Sequence, residues 1–110
     1  MNLPSGSPPR ALTIAGSDSG GCAGIQADLK TFAALGVHGM SVVTSVTAQD
    51  TCRVHLSSDL PLENIQKQIE AVVEDIGVDA MKTGMLPSVE VIGLVAEKMK
   101  QFEIRCIVVD

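Results

Sequence analysis

The stretch ALTIAGSDSGGCAGIQADLK, residues 11–30, decides the fold that this sequence predicts. Residues 11–15 form a short apolar run of the kind found in buried strands. Residues 16–21 follow with several glycines, which allow a ligand to approach the backbone closely. From about Ala23, apolar side chains recur at spacings of three and four, which indicates a helix. A strand, a glycine-rich turn and a helix in this order present backbone N–H groups to a ligand or anion.

The glycine-rich turn differs from two common nucleotide-binding loops. It is not closed by Gly-Lys-Ser/Thr, as a Walker A loop would be, and its glycine spacing departs from G-x-G-x-x-G. The shape of the turn therefore predicts a site for a small ligand of unspecified class, and a plain tight turn is the alternative.

Strand and helix patterns alternate along the rest of the chain. Residues 40–46 are rich in Val, Ser and Thr and predict a strand, and polar residues 47–50 predict a loop at its carboxyl end. A shorter strand is predicted at residues 52–56, and Pro61 suits the first position of a helix that ends at Gly77. Residues 78–82 predict a strand, Ser88 a helix cap, and residues 103–109 a final strand.

This alternation predicts the α/β fold class, with a mostly parallel sheet covered by helices on both faces. In such sheets ligands bind beyond the carboxyl ends of the strands. The loops at residues 16–21, 47–50 and 83–86 are therefore expected to meet, together with whatever follows Asp110.

The composition of the chain argues against nucleic acid and membranes as its partners. The chain has 110 residues, a net charge of −5 and only 2% aromatic residues. An acidic chain with few aromatic side chains is a poor match for nucleic acid or an anionic membrane. No apolar run reaches the roughly 20 residues needed to span a bilayer. We expect a cytoplasmic protein that binds a small molecule rather than nucleic acid or membrane.

The ends of the chain and its cysteines carry weaker signals. Residues 1–10, rich in Pro, Ser and Gly, are expected to be a disordered leader without the pattern of a signal peptide. Cys22, Cys52 and Cys106 are widely separated and lack metal-binding spacing, so they are expected to be reduced thiols.

Three segments resemble one enzyme family in their order and separation. AGSDSGGCAGIQADLKTFAALG, SVVTSVTAQDT and MKTGML are similar to the N-terminal part of the hydroxymethylpyrimidine/phosphomethylpyrimidine kinases, of the ribokinase-like superfamily. The resemblance implies a three-layer α/β/α sandwich, of which residues 11–110 form the N-terminal portion. It also implies that ATP and Mg²⁺ are used to phosphorylate 4-amino-5-hydroxymethyl-2-methylpyrimidine, and then its monophosphate, in thiamine biosynthesis.

The resemblance further implies roles for five residues. Gln49 would read the aminopyrimidine, because an amide can accept from the amine and donate to the ring nitrogen. Asp28 would accept a hydrogen bond from the substrate hydroxyl or amine. Gly16 and the backbone of Thr47 would border the ring, and Met85 would pack on its face. Gln49, Asp28 and Met85 each also have a plain structural alternative, and for Lys82 a structural role is as well supported as a functional one.

The sequence departs from the family at Cys22, where a smaller residue is usual, and at Asp50, where Asn is common. It also lacks the C-terminal half that carries the family's ATP site, Mg²⁺-associated acidic motif and catalytic loop. We therefore expect a fragment of the kinase, with no catalytic or metal-binding residue in this chain and the catalytic groups beyond Asp110. The alternatives are a non-catalytic module that binds a pyrimidine or another vitamer, and a pyridoxal-type kinase. A homo-oligomer is left open.

Overall fold

A computed structural model describes residues 6–110 of the chain. Five strands and three helices alternate in these residues: β1 Arg10–Asp18, α1 Gly24–Ala34, β2 His38–Gln49, β3 Val54–Asp59, α2 Leu62–Asp75, β4 Ala80–Thr83, α3 Val89–Gln101 and β5 Ile107–Val109. The order matches the predicted alternation of strands and helices.

The five strands form one sheet in the order β3-β2-β1-β4-β5. β1 is parallel to β2 and β4, β4 is parallel to β5, and β3 alone runs antiparallel, against β2. This confirms the mostly parallel sheet. The carboxyl ends of β1, β2, β4 and β5 consequently meet at one edge, where parallel sheets place ligands.

The two faces of the sheet are covered by different helices, because successive side chains of a strand point to opposite sides. Leu12 and Ile14 of β1 lie in the apolar core, together with buried residues of α2 and α3 that include Ile65 and Val95. Thr13, between them, donates a hydrogen bond to Asp28 of α1. Helix α1 therefore covers one face, and α2 and α3 cover the other. The predicted three-layer sandwich is confirmed.

Two predicted loops prove to be partly strand. β2 continues to Gln49, because its last residues pair with β3, which aligns Thr47 with Ser57. The prediction of a loop at residues 47–50 was therefore wrong for all but the last of them. β1 likewise runs to Asp18, which pairs with Thr47, so that the glycine-rich turn begins later than expected.

Other helix and strand boundaries also differ from the predicted ones. Pro61 precedes α2 instead of being its first helical residue. The final strand is shorter than the predicted residues 103–109, since Glu103 has a φ of 55° and the chain turns there before β5. The cap of α3 is confirmed, with the Ser88 hydroxyl accepting from the Val91 N–H at 3.2 Å.

The predicted leader, residues 1–10, lies partly outside the described residues. From residue 6 onward, the structure corrects its boundary by one position, because β1 begins at Arg10. The Arg10 guanidinium forms an ion pair with Asp79 at 2.9 Å, which fixes the start of the strand. None of the helices within residues 6–110 has the length and apolar character to cross a membrane. The three cysteines are free and exposed.

Candidate functional site

A cavity of about 500 Å³ opens at the edge where the parallel strands end. This volume lies within the range of about 300–1,000 Å³ that is typical of small-molecule sites. Its wall includes residues from each of the three loops that the sequence predicted to meet, at the end of β1, at the end of β2 and after β4, and it also includes Asp110. Val54 and Ser57 of β3 complete it, because that strand folds back along β2.

Asp18 organises the glycine-rich turn at the entrance to this cavity. Its carboxylate accepts hydrogen bonds from the backbone N–H groups of Gly20 at 2.8 Å, Cys22 at 3.0 Å and Ala23 at 2.8 Å. The side chain is 3% exposed, and Ala23, at the N-cap of α1, has no side-chain cap of its own. Asp18 therefore supplies from a distance the acceptor that the start of the helix needs.

Gln26 fixes the other side of the turn. Its side-chain oxygen accepts from the Asp18 N–H at 2.7 Å, and its side-chain nitrogen donates to the Ser17 hydroxyl at 2.9 Å. Sequence reasoning singled out neither Asp18 nor Gln26. The sequence could have indicated Asp18, because Asp is favoured in turns and at helix caps, and Asp18 precedes Ser-Gly-Gly and a helix.

Gly16 lines the cavity, as its predicted role requires, and its lack of a side chain shapes the wall. A Cβ at Gly16 would lie 2.5 Å from the methyl carbon of Met85, so the glycine makes room for that methionine. Met85 is 46% exposed and also lines the cavity, where a flexible thioether suits the face of a flat ring. Gly24, with φ +61°, allows α1 to start against the carbonyl oxygen of Gly16.

Gln49 stands at the end of β2 with its backbone held on both sides. The Ser19 hydroxyl accepts from the Gln49 N–H at 2.7 Å and donates to the Gln49 carbonyl at 2.6 Å. The side-chain amide lies 3.2 Å from the hydroxyl of Thr47, and both residues line the cavity. The glycine-rich turn thus positions the amide that the sequence singled out.

Asp28 is placed differently from the other four predicted residues. It is absent from the cavity wall, and both of its carboxylate oxygens are engaged. One accepts from the Thr13 hydroxyl at 2.6 Å, and the other accepts from the Lys82 ammonium at 2.9 Å. Direct contact between Asp28 and a substrate stays a prediction. What the structure shows is a carboxylate that joins α1 to β1 and β4.

Lys82 does reach the cavity wall, although the sequence left its role open. Its ammonium is held between Asp28 and the more distant Asp110, whose carboxylate lies 3.7 Å away. Its side chain is 20% exposed, so the charge is partly accessible from the cavity. Lys82 is therefore a fixed positive charge that a bound molecule would meet.

The same region offers little to a metal ion. No group of three or more His, Cys, Asp or Glu side chains within residues 6–110 is arranged to hold one. Asp18 is the best-buried carboxylate at the cavity, but its lone pairs are directed to backbone N–H groups. The described residues therefore do not fit the Mg²⁺ ion that the sequence resemblance implies.

Comparison with known proteins places this chain in a family. Residues 18–110 match the family model described as phosphomethylpyrimidine kinase. A hydroxymethylpyrimidine/phosphomethylpyrimidine kinase from Streptomyces coelicolor is 61% identical over 90 residues, which cover 82% of this chain and 34% of that protein. The chain thus spans about a third of the length of this relative.

Two solved structures show the same fold. Phosphomethylpyrimidine kinase from Clostridium difficile 630 superposes with a TM-score of 0.89 at 54% identity, over 93% of this chain and 44% of that one. Pyridoxal kinase from Staphylococcus aureus, in complex with AMP-PCP and pyridoxal, gives 0.87 at 40% identity, over 96% and 39%. The fold is thus that of ribokinase-like vitamin kinases, and the chain belongs to the phosphomethylpyrimidine kinase family.

Proposed function

We propose that the complete gene product phosphorylates 4-amino-5-hydroxymethyl-2-methylpyrimidine and then its monophosphate, with ATP as the donor. The γ-phosphoryl group of ATP would pass first to the hydroxymethyl oxygen, which loses its proton, and ADP would leave. In the second step the new phosphate group would accept another phosphoryl group. Residues 6–110 would contribute the pocket for the pyrimidine.

The observation that carries this proposal is the position of Gln49. Its amide lies at the carboxyl end of β2, in a cavity of small-molecule size, on a backbone that Ser19 holds from both sides. A 4-aminopyrimidine carries an N–H donor next to a ring-nitrogen acceptor, and an amide complements both. Because the backbone of Gln49 is already held in place, binding would lose less free energy in ordering this residue.

The other predicted residues would surround the ring. Gly16 and the Thr47 backbone would border one side of the pyrimidine, and the thioether of Met85 would lie on its face. Lys82 would face the phosphate of the monophosphate substrate, because it is the cation of the cavity wall. Asp28 would act mainly by holding Lys82 in place, since its oxygens are already bonded.

Catalysis itself would depend on groups outside residues 6–110. ATP supplies the phosphoryl group and Mg²⁺ would neutralise charge on it, but the described residues offer no metal site and no Walker A loop. What this part of the chain would do is bind the acceptor, orient its hydroxymethyl group and exclude water from one side. A cytoplasmic location stays a prediction, and the oligomeric state is left open.

A pyridoxal-type kinase is the second candidate function. The observation in its favour is the close superposition with S. aureus pyridoxal kinase, whose structure contains pyridoxal. Pyridoxal is also a flat, substituted six-membered ring with a hydroxymethyl group, so the two substrates could share one pocket. The exocyclic amine next to a ring nitrogen distinguishes the pyrimidine.

The test is an assay of ADP formation by the purified complete gene product. It is supplied with ATP and Mg²⁺ and with the hydroxymethylpyrimidine, its monophosphate, pyridoxal or no acceptor. We expect turnover with both pyrimidines, and a kcat/KM for them well above that for pyridoxal. A preference for pyridoxal would favour the second candidate. Tight pyrimidine binding without any turnover would instead identify a non-catalytic binding module.

A further inference from the structure

The Thr47 hydroxyl touches two groups that cannot both accept its single proton. Thr47 Oγ1 lies 2.5 Å from the Ser17 carbonyl oxygen and 3.2 Å from the side-chain amide of Gln49, at the atom assigned as the oxygen. Thr47 is 8% exposed, so little water can reach this hydroxyl to mediate either contact. A backbone carbonyl can only accept, and the shorter contact therefore takes the proton.

The second contact then has a definite polarity. Because the Thr47 hydroxyl donates its proton to the Ser17 carbonyl, Thr47 Oγ1 can only accept a hydrogen bond from Gln49. If the Gln49 amide oxygen lay at this 3.2 Å position, it and Thr47 Oγ1 would repel each other. Which atom of a glutamine amide is the nitrogen and which the oxygen is assigned from their hydrogen-bond partners. Here the nitrogen is the atom that can donate to Thr47 Oγ1. We propose that Thr47 is a positioning residue that fixes the Gln49 amide with its nitrogen on Thr47 and its oxygen towards the cavity.

The surroundings fix the backbone of Gln49 and leave its side chain one hydrogen-bond partner among the described residues. Ser19 holds the backbone N–H and the carbonyl of Gln49, so the residue cannot shift along the strand. Apart from Thr47, no residue in the described part of the chain makes a hydrogen bond with the Gln49 side chain. The contact with Thr47 is therefore the one polar restraint on which way the amide faces among the described residues.

This orientation selects a ligand by chemical class, an inference that rests on the proposed function. An oxygen that faces the cavity accepts from an exocyclic amine, and the second N–H of the amide nitrogen is left for the neighbouring ring acceptor. A 4-oxopyrimidine presents the reverse pair, with an accepting oxygen and a ring N–H donor. Binding the oxo compound would require the amide to turn over and lose its bond to Thr47.

The experiment compares two ligands on three variants of the complete gene product. Dissociation constants are measured by calorimetry for 4-amino-5-hydroxymethyl-2-methylpyrimidine and for its 4-oxo counterpart. Thr47→Val keeps the shape of the side chain and removes the hydroxyl, and Thr47→Ser keeps the hydroxyl. Thr44→Val removes a buried hydroxyl from the same strand, one that bonds to Met85 and does not touch Gln49.

We expect the wild type to prefer the amino compound, and Thr47→Val to lower that preference by about fivefold, equivalent to about 1 kcal/mol. Thr47→Ser and Thr44→Val should keep the wild-type ratio. An unchanged ratio in Thr47→Val would overturn the proposal, and so would an equal loss in Thr47→Ser.

A second measurement does not depend on the substrate. In ¹⁵N-labelled protein, one of the two side-chain amide protons of Gln49 should show a downfield shift and slowed exchange. That signature should disappear in Thr47→Val and persist in Thr47→Ser. If neither pyrimidine binds, the proposed function fails while this spectrum still decides the orientation. Proton shifts and exchange rates in the wild type like those of a solvent-exposed glutamine side chain would refute it.

Discussion

Gln49 owes its place in the cavity to interactions that lie outside the cavity. Ser19, in the glycine-rich turn, forms hydrogen bonds with the backbone of Gln49. Val54 of β3 pairs with Gln49 across the sheet. Because both supports are provided by backbone or short side chains, a substitution at Gln49 should change recognition more than folding.

Replacing Gln49 with Leu in the complete gene product should weaken pyrimidine binding and leave ATP binding nearly unchanged. The variant would leave the amine and ring nitrogen of the ligand unpaired in the cavity, which costs about 1–3 kcal/mol. That cost corresponds to roughly five- to 150-fold in the dissociation constant. Calorimetry with each ligand checks this. An equal loss for ATP, or none for the pyrimidine, would contradict the predicted site.

Among individual residues, the sequence named several that line the cavity and missed the residues that support them. Gln49, Gly16, Thr47 and Met85 were named because a family resemblance marked them, and all four line the cavity. Asp18 was not named, since its importance lies in three bonds to backbone N–H groups that form only when the turn closes. Such bonds depend on three-dimensional proximity and leave no periodic pattern in a sequence.

Helix α1 is attached to the sheet by polar contacts as much as by apolar ones. None of its residues is fully buried, and Asp28 links it to Thr13 of β1 and Lys82 of β4. The side chains of Asp28 and Lys82 are 15% and 20% exposed, which leaves their ion pair only weakly screened by water.

A double-mutant cycle on Asp28→Asn and Lys82→Met should therefore give a coupling energy of about 1–2 kcal/mol in the free energy of unfolding. Chemical denaturation of the two single variants, the double variant and the wild type measures it. As a control, Asp28→Asn combined with Lys67→Met should be additive, because Lys67 lies on α2 and contacts Glu70 instead. Additivity in the Asp28–Lys82 cycle as well would mean that the pair contributes nothing.

A second prediction about the elements concerns Gly24, at the junction between β1 and α1. Gly24 has φ +61°, and a Cβ there would collide with the carbonyl oxygen of Gly16, which is backbone and cannot give way. Gly24→Ala should lower the free energy of unfolding by at least about 2 kcal/mol. Gly93 in α3 has open space around it, so Gly93→Ala should raise that free energy by about 0.5–1 kcal/mol. Denaturant titration of both variants checks the contrast, and a Gly24→Ala protein as stable as the wild type would contradict it.

The elements themselves were largely predictable, because their apolar residues repeat with the period of a helix or a strand. The boundaries were less so. β2 reaches Gln49 only because β3 pairs with its last residues, and β5 starts at Ile107 because the chain turns at Glu103. Pairing between distant segments overrides local polarity, so the polar residues at the end of β2 were assigned to a loop.

Across the whole molecule, two ion pairs tie distant parts of the chain together. Arg10, at the start of β1, lowers the pKa of Asp79 to about 2, mainly through a hydrogen bond from its side chain. Lys98 of α3 donates a hydrogen bond to Glu70 of α2 at 2.8 Å and, with help from Gln66, lowers the pKa of that carboxyl to about 2. Lys98 is 7% exposed, so it depends on this partner.

These pKa values predict how stability responds to acid. Both carboxyls have a folded pKa near 2, below their ordinary values of 3.8 for Asp and 4.5 for Glu. Between those values the unfolded chain binds more protons, so stability present above about pH 5 should decline as the pH falls towards 2. We expect the melting temperature of the complete gene product to fall steadily across this window.

Comparison of two variants isolates the part due to Glu70. Glu70→Gln should lower the melting temperature at pH 7, because buried Lys98 loses its charged partner, and should flatten the decline between pH 5 and pH 3. Glu74→Gln is the matched control, since Glu74 is exposed on the same helix and belongs to no ion pair found in residues 6–110. It should keep the wild-type slope. A Glu70→Gln protein with an unchanged slope would show that this carboxyl is protonated alike in the folded and unfolded chain, and that the Lys98 contact does not stabilise its charge.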